Sequence, residues 1–147
     1  MTIVISDKPF KPWEELHRHE DLHADLLGRF GATAVFVGSM RDFNEDESVT
    51  AMTLEHYAGM TERHLQDICD AATARWDLLE TLVIHRVGDL VPGEPIVVVA
   101  VWSAHRAAAF EASRYIMEDL KSRAPFWKKE SLVDGHRWVT KNTPEST

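Results

Sequence analysis

The run from Ile96 to Trp102 constrains the fold of this chain more than any other segment. Its residues, Ile-Val-Val-Val-Ala-Val-Trp, are apolar at every position and mostly β-branched. A strand with one wet face alternates apolar and polar side chains, whereas an uninterrupted apolar run is typical of a strand covered on both faces. We therefore predict that residues 96–102 form a central strand of a sheet packed on both sides.

Three further segments have the composition or period of β-strands. Residues 32–40 are rich in β-forming side chains, residues 51–57 alternate in polarity with a period of two, and residues 82–87 contain Leu, Val, Ile and Val. Gly88-Asp89 and Pro92-Gly93 supply turn chemistry before the central run. The chain therefore carries several strands joined by short turns.

Two segments have the spacing of three and four that places apolar side chains on one helix face. The first covers residues 61–75 and includes Cys69 on its apolar face, which favours a small buried core residue over a reactive thiol. The second covers residues 104–123, with Ser103 as its expected cap and Pro125 as its stop. These two segments predict the main helices.

The two ends of the chain are less regular. Residues 13–29 predict one or two turns of amphipathic helix, and the acidic stretch 42–48 predicts an exposed connection. Asp134-Gly135, flanked by two short β-like runs, predicts a carboxy-terminal hairpin, and residues 142–147 are expected to fray. Together the segments predict a single α+β domain over residues 1–147, a two-layer arrangement of mixed or antiparallel sheet with two main helices.

Charge and cysteine content exclude several classes of function. The formal net charge of -8 argues against nucleic-acid binding, which needs a wide basic stripe. The sequence contains no apolar run near the ~20 residues of a membrane span and no leader pattern, so we expect a cytoplasmic protein without a membrane partner. The single cysteine excludes an internal disulfide and a thiolate-rich metal site.

Positive charge is concentrated in two short segments of this acidic chain, Ser103–Arg106 and Lys121–Glu130. Phe126 and Trp127 in the second segment either stack on a planar ligand or fill the core, and the core is the favoured interpretation. Grouped cations repel one another unless an anion offsets them, which predicts an anion-binding site. The segments contain His105, Arg106, Lys121, Arg123, Lys128 and Lys129.

The other histidines have a structural interpretation. His17, His19 and His23 with Glu20 suggest a metal site, because His19 and His23 share a helix face. No stronger ligand motif accompanies them, so a solvated helix face is favoured and no metal is predicted. His85 lies within an apolar strand and is also interpreted as structural.

Five blocks, taken in order, resemble the large, catalytic subunit of molybdopterin synthase. The resemblance spans residues 32–139, and the first thirty residues show no useful match. It implies a hammerhead-like fold. The blocks are Phe36–Arg41, Leu54–Met60, Ile84–Gly88, Ser103–Arg106 and Lys121–Glu130.

The resemblance implies a sulfurtransferase of molybdenum cofactor biosynthesis. Such an enzyme inserts two sulfurs into cyclic pyranopterin monophosphate, its substrate, to form the dithiolene of molybdopterin, and no cofactor is implied. The sulfur arrives as a thiocarboxylate on the carboxy-terminal Gly-Gly of a small ubiquitin-like carrier subunit, whose tail threads into the large subunit. A homodimer of large subunits with two carriers would form a heterotetramer.

The resemblance also implies the site residues. It assigns substrate contact to the residues given at the end of this paragraph. Among them we assign catalysis to Lys121 and Lys128, because neighbouring cations and burial lower the pKa of a lysine, and phosphate binding to Arg41 and Arg106, because arginine donates two parallel hydrogen bonds. Ser39 and Met40 depart from the usual pattern of a basic or small residue followed by an aliphatic one, and the tail after Val139 departs as well. The full set of implied substrate-binding residues is Ser39, Met40, Arg41, His105, Arg106, Lys121, Lys128, Lys129 and Glu130.

Several roles remain open at the level of sequence. Either Lys121 or Lys128 could protonate the leaving oxygen while the other holds the thiocarboxylate, and His105 is a proton donor or an orienting group. One alternative is a dimeric module that binds a ubiquitin-like tail or a phosphorylated metabolite without catalysis. Another is a Schiff-base lysine enzyme that acts on a carbonyl metabolite without any partner.

The length of the second helix bears on how a site could be assembled. If the helix is continuous, the sixteen steps from His105 to Lys121 cover about 24 Å at 1.5 Å per residue. That distance exceeds the width of a small pocket. Either the two groups serve different sites, or one pocket takes them from two protomers of a homodimer, and the shared pocket is preferred.

Overall fold

The computed structural model describes residues 1–44, 47–132 and 135–139, and it confirms the predicted α+β class. None of the helices in these ranges combines the length and apolar character needed to cross a membrane. The elements in chain order are β1 Thr2–Ser6, α1 Pro12–Leu22, a 3-10 turn Ala24–Leu26, β2 Ala32–Ser39, β3 Phe43–Asn44, β4 Glu47–His56, α2 Met60–Trp76, β5 Glu80–Arg86, β6 Gly88–Leu90, β7 Pro95–Ser103, α3 Arg106–Arg123, β8 Phe126–Leu132 and β9 Gly135–Val139.

The predicted central strand is β7, which lies inside a four-stranded sheet of order β1-β5-β7-β2. β1 pairs with β5 in parallel, and the other pairs are antiparallel. Val97, Val99 and Val101 belong to a core shared with α2 and α3, whereas Val98 and Trp102 belong to a second core that includes α1. Alternate residues of a strand point to opposite faces, so the uninterrupted apolar run reflects helices on both sides.

The two predicted main helices pack together on one face of this sheet. α2 covers the predicted segment, and Cys69 on its buried face has no exposed surface. Burial raises the pKa of the Cys69 thiol to about 11, which keeps it protonated at neutral pH. The interpretation of Cys69 as a core residue is confirmed.

The predicted cap of α3 is wrong by two residues. Ser103 is the last residue of β7, where its carbonyl accepts the Gly31 N–H at 2.9 Å and its hydroxyl accepts the His105 N–H at 3.3 Å. His105 is the N-cap, and the helix begins at Arg106. Pairing with β2 holds Ser103 in the strand, which is a tertiary effect that local cap propensity does not contain. The predicted stop at Pro125 is confirmed.

A second sheet of order β3-β4-β8-β9, with β6 also paired to β4, contains most of the remaining strands. Two short strands replace predicted irregular structure: β3 lies within the predicted acidic connection, and β6 includes the Gly88-Asp89 pair expected to form a turn. The hairpin of β8 and β9 is confirmed by the pairing of Leu132 with Gly135. Asp134 and the tail from residue 140 lie outside the described residues.

The amino-terminal region is more ordered than its sequence predicted. β1 forms an edge of the first sheet, and α1 adds a helix on the face opposite α2 and α3. The expectation of a solvated face is wrong for His19, which is buried and stacks on Trp102 with ring centroids 5.1 Å apart. It holds for His17, which is exposed.

Candidate functional site

A cavity of about 110 Å³ lies between the two sheets, at the carboxy-terminal end of α3. Both sheets and the helix contribute to its wall, which combines apolar side chains with two lysines, a histidine and a serine. It is lined by Phe36, Gly38, Ser39, Leu54, His85, Ile96, Val97, Leu120, Lys121, Ala124, Phe126, Lys128 and Val139.

The two sequence-predicted catalytic lysines both line this cavity. Lys121 comes from the last turn of α3, and Lys128 comes from β8, which starts directly after the helix. The buried hydroxyl of Thr61 donates to the Pro125 carbonyl at 3.1 Å and accepts the Tyr57 N–H, so it anchors the turn between helix and strand. Because the chain reverses at this turn, two lysines that are seven positions apart in sequence line the same cavity.

The environment of the cavity lowers the pKa of one of its two lysines. Burial lowers the pKa of Lys121, and the positive charge of Lys128 lowers it further. Both effects disfavour a second cation in a confined space. Lys121 can therefore exchange a proton more readily than an exposed lysine, while the pair still attracts an anion.

His85 is the site residue that sequence reasoning missed. It lies in β5, is almost fully buried, and stacks on Phe126 with ring centroids 3.7 Å apart. Its Nδ1 lies 2.8 Å from the Arg86 carbonyl, which only accepts hydrogen bonds, so Nδ1 carries the proton and Nε2 is an acceptor. Burial lowers the pKa of His85 to about 4, and the nearby Lys121, His56 and Lys128 oppose its protonation.

A signal for His85 was present in the sequence. His85 and Arg86 form a polar pair inside a strand in which every residue is buried. Buried polar side chains need partners, so such a pair marks either a structural network or a site. The apolar neighbours alone suggested a structural histidine.

Phe126 and Trp127 are neighbours in β8, so their side chains point to opposite faces of the strand. Phe126 shares a face of β8 with Lys128 and lines the cavity, so it belongs both to the core and to the site. Trp127 points to the other face, where it meets Tyr57 edge to face at 4.5 Å and remains about a third exposed.

The three predicted residues at the end of β2 occupy different environments. Ser39 is exposed and lines the cavity. Met40 is buried in a core with Leu54 and Leu90 and is not among the residues that line the cavity. Arg41 is exposed just beyond the strand and is not part of the cavity wall.

Lys129 and Glu130 do not line the cavity either. Lys129 lies on the opposite face of β8 from Lys128, with its ammonium 5.8 Å from the Trp138 ring. Glu130 is buried and accepts a hydrogen bond from Arg137 Nε at 3.0 Å. The structure gives Glu130 a partner within the hairpin, which fixes β9 against β8.

His105 and Arg106 are both exposed at the amino-terminal end of α3. Since α3 is continuous from Arg106 to Arg123, Lys121 lies about 22 Å along the axis from Arg106. The structure of a single chain therefore brings Ser39, His85, Lys121 and Lys128 together and leaves the first cationic segment apart.

The arrangement has the chemistry of an anion-binding cavity with proton-exchanging groups. A lysine pair supplies positive charge, Lys121 exchanges a proton, and neutral His85 offers an acceptor nitrogen. Cys69, the sole cysteine, lies in the helix core and does not line the cavity. A sulfur nucleophile for a reaction in this cavity would therefore come from a ligand.

Comparison with known proteins identifies close relatives. Residues 5–123 match the family described as MoaE protein. The chain is 50% identical over 139 residues to a molybdopterin synthase catalytic subunit of Pseudomonas aeruginosa, covering 95% of this chain and 90% of the relative.

Solved structures show the same fold. A molybdopterin biosynthesis MoaE protein from Burkholderia ambifaria superposes with a TM-score of 0.80 at 40% identity, covering 99% of this chain and 93% of that one. A complex of subunits 1 and 2 of molybdopterin-converting factor from Helicobacter pylori contains a chain with a TM-score of 0.77 at 20% identity, covering 99% and 96%. The second likeness concerns the fold alone.

Proposed function

Because this chain belongs to the MoaE family, we propose that it is the catalytic subunit of a molybdopterin synthase. The reaction we propose is sulfur transfer from the thiocarboxylated tail of a small ubiquitin-like carrier subunit to cyclic pyranopterin monophosphate. The observation that carries the proposal is the pair of lysines in one cavity, with the pKa of Lys121 lowered by burial and by Lys128.

The charge of the cavity suits the two reactants. A thiocarboxylate is anionic at neutral pH and needs no base to become a nucleophile. The pterin substrate carries a phosphate, so two anions must approach each other. Lys121 and Lys128 offset that repulsion where the sulfur meets the substrate.

The lowered pKa of Lys121 assigns the proton-transfer step to this residue. An oxygen that leaves the substrate carbon must take up a proton, and a lysine with a lowered pKa donates one more easily than an ordinary lysine. Lys128 then holds the thiocarboxylate by charge. We therefore propose Lys121 as the proton donor and Lys128 as the residue that holds the thiocarboxylate, a choice that the sequence left open.

His85 acts through its acceptor nitrogen. With Nδ1–H bound to the Arg86 carbonyl, Nε2 can accept a hydrogen bond from an ammonium or a substrate group in the cavity. Because its pKa is about 4, His85 stays neutral and adds no third positive charge beside the lysines. We propose that it orients the reacting groups.

The phosphate end of the substrate is assigned to arginine, whose planar fork donates two parallel hydrogen bonds. Arg41 is exposed two residues beyond Ser39 of the cavity wall, whereas Arg106 lies about 22 Å from Lys121 along α3. A homodimer that places Arg106 of one protomer beside the cavity of the other would unite the two cationic segments. We propose this shared site, and with two carriers it gives a heterotetramer.

The carrier tail must reach a narrow cavity. An extended Gly-Gly segment lacks side chains, so it should enter a cavity of about 110 Å³ more readily than a bulky tail. A carrier without its two glycines should deliver no sulfur.

The decisive experiment combines the purified chain, a thiocarboxylated ubiquitin-like carrier and cyclic pyranopterin monophosphate, with dithiolene product as the readout. Lys121→Ala and Lys128→Ala should each abolish most transfer while the chain stays folded. Lys8→Ala, at an exposed lysine outside the cavity, is the matched control and should keep full activity. Wild-type turnover in either cavity variant would contradict the catalytic assignment.

Conservative variants separate catalysis from binding alone. Arginine retains the charge but cannot release a proton, so Lys121→Arg should bind carrier normally and transfer little sulfur. A non-catalytic binding module would instead tolerate this change in every assay. Borohydride trapping of a carbonyl compound by the chain alone would favour a Schiff-base enzyme.

A further inference from the structure

A second cluster of polar side chains lies away from the cavity, where the end of α1 meets the start of β5. It consists of His19, His23 and Glu80, each of which offers one ligand atom within 4.8 Å of the other two. Glu80 Oε2 is 3.4 Å from His19 Nε2 and 3.2 Å from His23 Nε2. Helical spacing of four brings the two imidazoles to one face, and their rings stack at 4.2 Å.

Backbone contacts fix the orientation of His23 and Glu80. His23 Nδ1 donates to the His19 carbonyl at 2.9 Å, which leaves the Nε2 lone pair directed at Glu80 in the neutral ring. Glu80 Oε1 accepts the Thr81 N–H at 2.8 Å and contacts the amino group of Met1, so Oε2 is the oxygen turned toward the histidines. A ring nitrogen held by a backbone carbonyl is the usual second contact of a metal-binding histidine.

His19 supplies an independent observation. It is only 6% exposed, and its buried Nε2 makes no hydrogen bond of good geometry among the described residues, with Glu80 Oε2 3.4 Å away. Leaving a buried polar atom unsatisfied is unfavourable, so such an atom in a native fold calls for a missing partner. The Nε2 atom is close to Glu80 Oε2, so a single partner could satisfy both.

The two distances from Glu80 match the edges of a small coordination polyhedron. With metal–ligand bonds of about 2.0–2.1 Å in a tetrahedron, ligand atoms lie about 3.3–3.4 Å apart. The distances of 3.2 and 3.4 Å from the carboxylate to the two imidazoles fit this value. We propose that His19, His23 and Glu80 bind a zinc ion, since two imidazoles and one carboxylate are a donor set that Zn²⁺ prefers.

The surroundings indicate the role of the ion. Glu20 lies beside the cluster, but its Oε2 accepts the Trp102 indole N–H at 3.0 Å, so the proposed protein ligands among the described residues are His19, His23 and Glu80. Leu26, Phe30 and Trp102 form an apolar shell around the histidines. The zinc ion joins α1 to the first residue of β5 and therefore stabilises the amino-terminal layer of the fold.

The test measures zinc binding by the full-length chain after treatment with a chelator. Competition with a chromophoric chelator should give one Zn²⁺ per wild-type chain, and Co²⁺ should produce the visible absorption of a tetrahedral site. His23→Gln should weaken Zn²⁺ binding by about 100-fold or more, because loss of even an outer contact costs 10–100-fold. His17→Gln, an exposed histidine on the same helix, should bind like wild type.

A second measurement tests whether the variants are folded. Near-ultraviolet circular dichroism reports whether Trp102 keeps its packing, and His23 is exposed enough for His23→Gln to be tolerated. Zn²⁺ should raise the Tm of wild type and of His17→Gln but not that of His23→Gln. Equal zinc affinity in wild type and folded His23→Gln, or no saturable binding by wild type, would overturn the proposal.

Discussion

Acid should destabilise this protein through His85, and the substitution His85→Asn should remove that sensitivity. The asparagine amide can replace Nδ1–H as donor to the Arg86 carbonyl but does not titrate. The folded state lowers the pKa of His85 from 6.5 to about 4 because the ring is buried beside two lysines. The unfolded chain therefore binds a proton at His85 over a pH range in which the folded chain does not.

The magnitude follows from linkage. Below the unfolded pKa of 6.5, the free energy of unfolding falls by about 1.4 kcal/mol per pH unit until the folded pKa of about 4 is reached. Between about pH 7 and pH 4.5, His85 alone should cost the wild type about 2–3 kcal/mol. The contribution is fully present above pH 6.5 and is lost as the pH falls toward 4.

Urea unfolding at a series of pH values measures this loss in both proteins. The variant is expected to be less stable at neutral pH, because it loses the ring stack on Phe126, but its stability should fall less steeply with acid. Other titrating groups are common to both proteins and cancel in the difference of slopes. Parallel curves would show that His85 is not held neutral by the fold and would refute its assigned role in the cavity.

Three further predictions address other parts of the molecule. Cys69→Ala should lower the free energy of unfolding by about 1 kcal/mol and leave sulfur transfer intact, so a folded but inactive variant would show that sulfur passes through this residue. Gly31→Ala should cost about 1–3 kcal/mol in thermal or urea unfolding, because a Cβ there would collide with the backbone carbonyl of Ala104; unchanged stability would contradict that close contact. Mixing inactive variants that lack Arg106 or Lys121, under conditions that exchange protomers, should restore part of the activity if the site is shared, and confirmed mixed dimers without activity would rule out sharing.

Much of the fold follows from local sequence patterns. The apolar run of β7, the helical spacing around Cys69 and the stop at Pro125 each express a short-range rule, and each is confirmed. The strand β1 and the exact start of α3 follow instead from pairing with distant strands. A segment such as Thr2–Ser6 has no strong period of its own, and its parallel alignment with β5 depends on a surface that forms only in the folded protein.

For the candidate site, too, some features follow from the sequence and others only from the tertiary structure. The sequence by itself determined the types of residues: a cationic segment in an acidic chain, in which the family resemblance pointed to Lys121 and Lys128 as candidate catalytic residues. Only the tertiary structure decided that these lysines share a cavity with His85, that Met40 belongs to the core, and that His19 lies against Glu80 rather than in solvent. The physical reason is burial, because the properties of a titratable side chain depend on neighbours that are far away in sequence and close only after the sheets and helices pack.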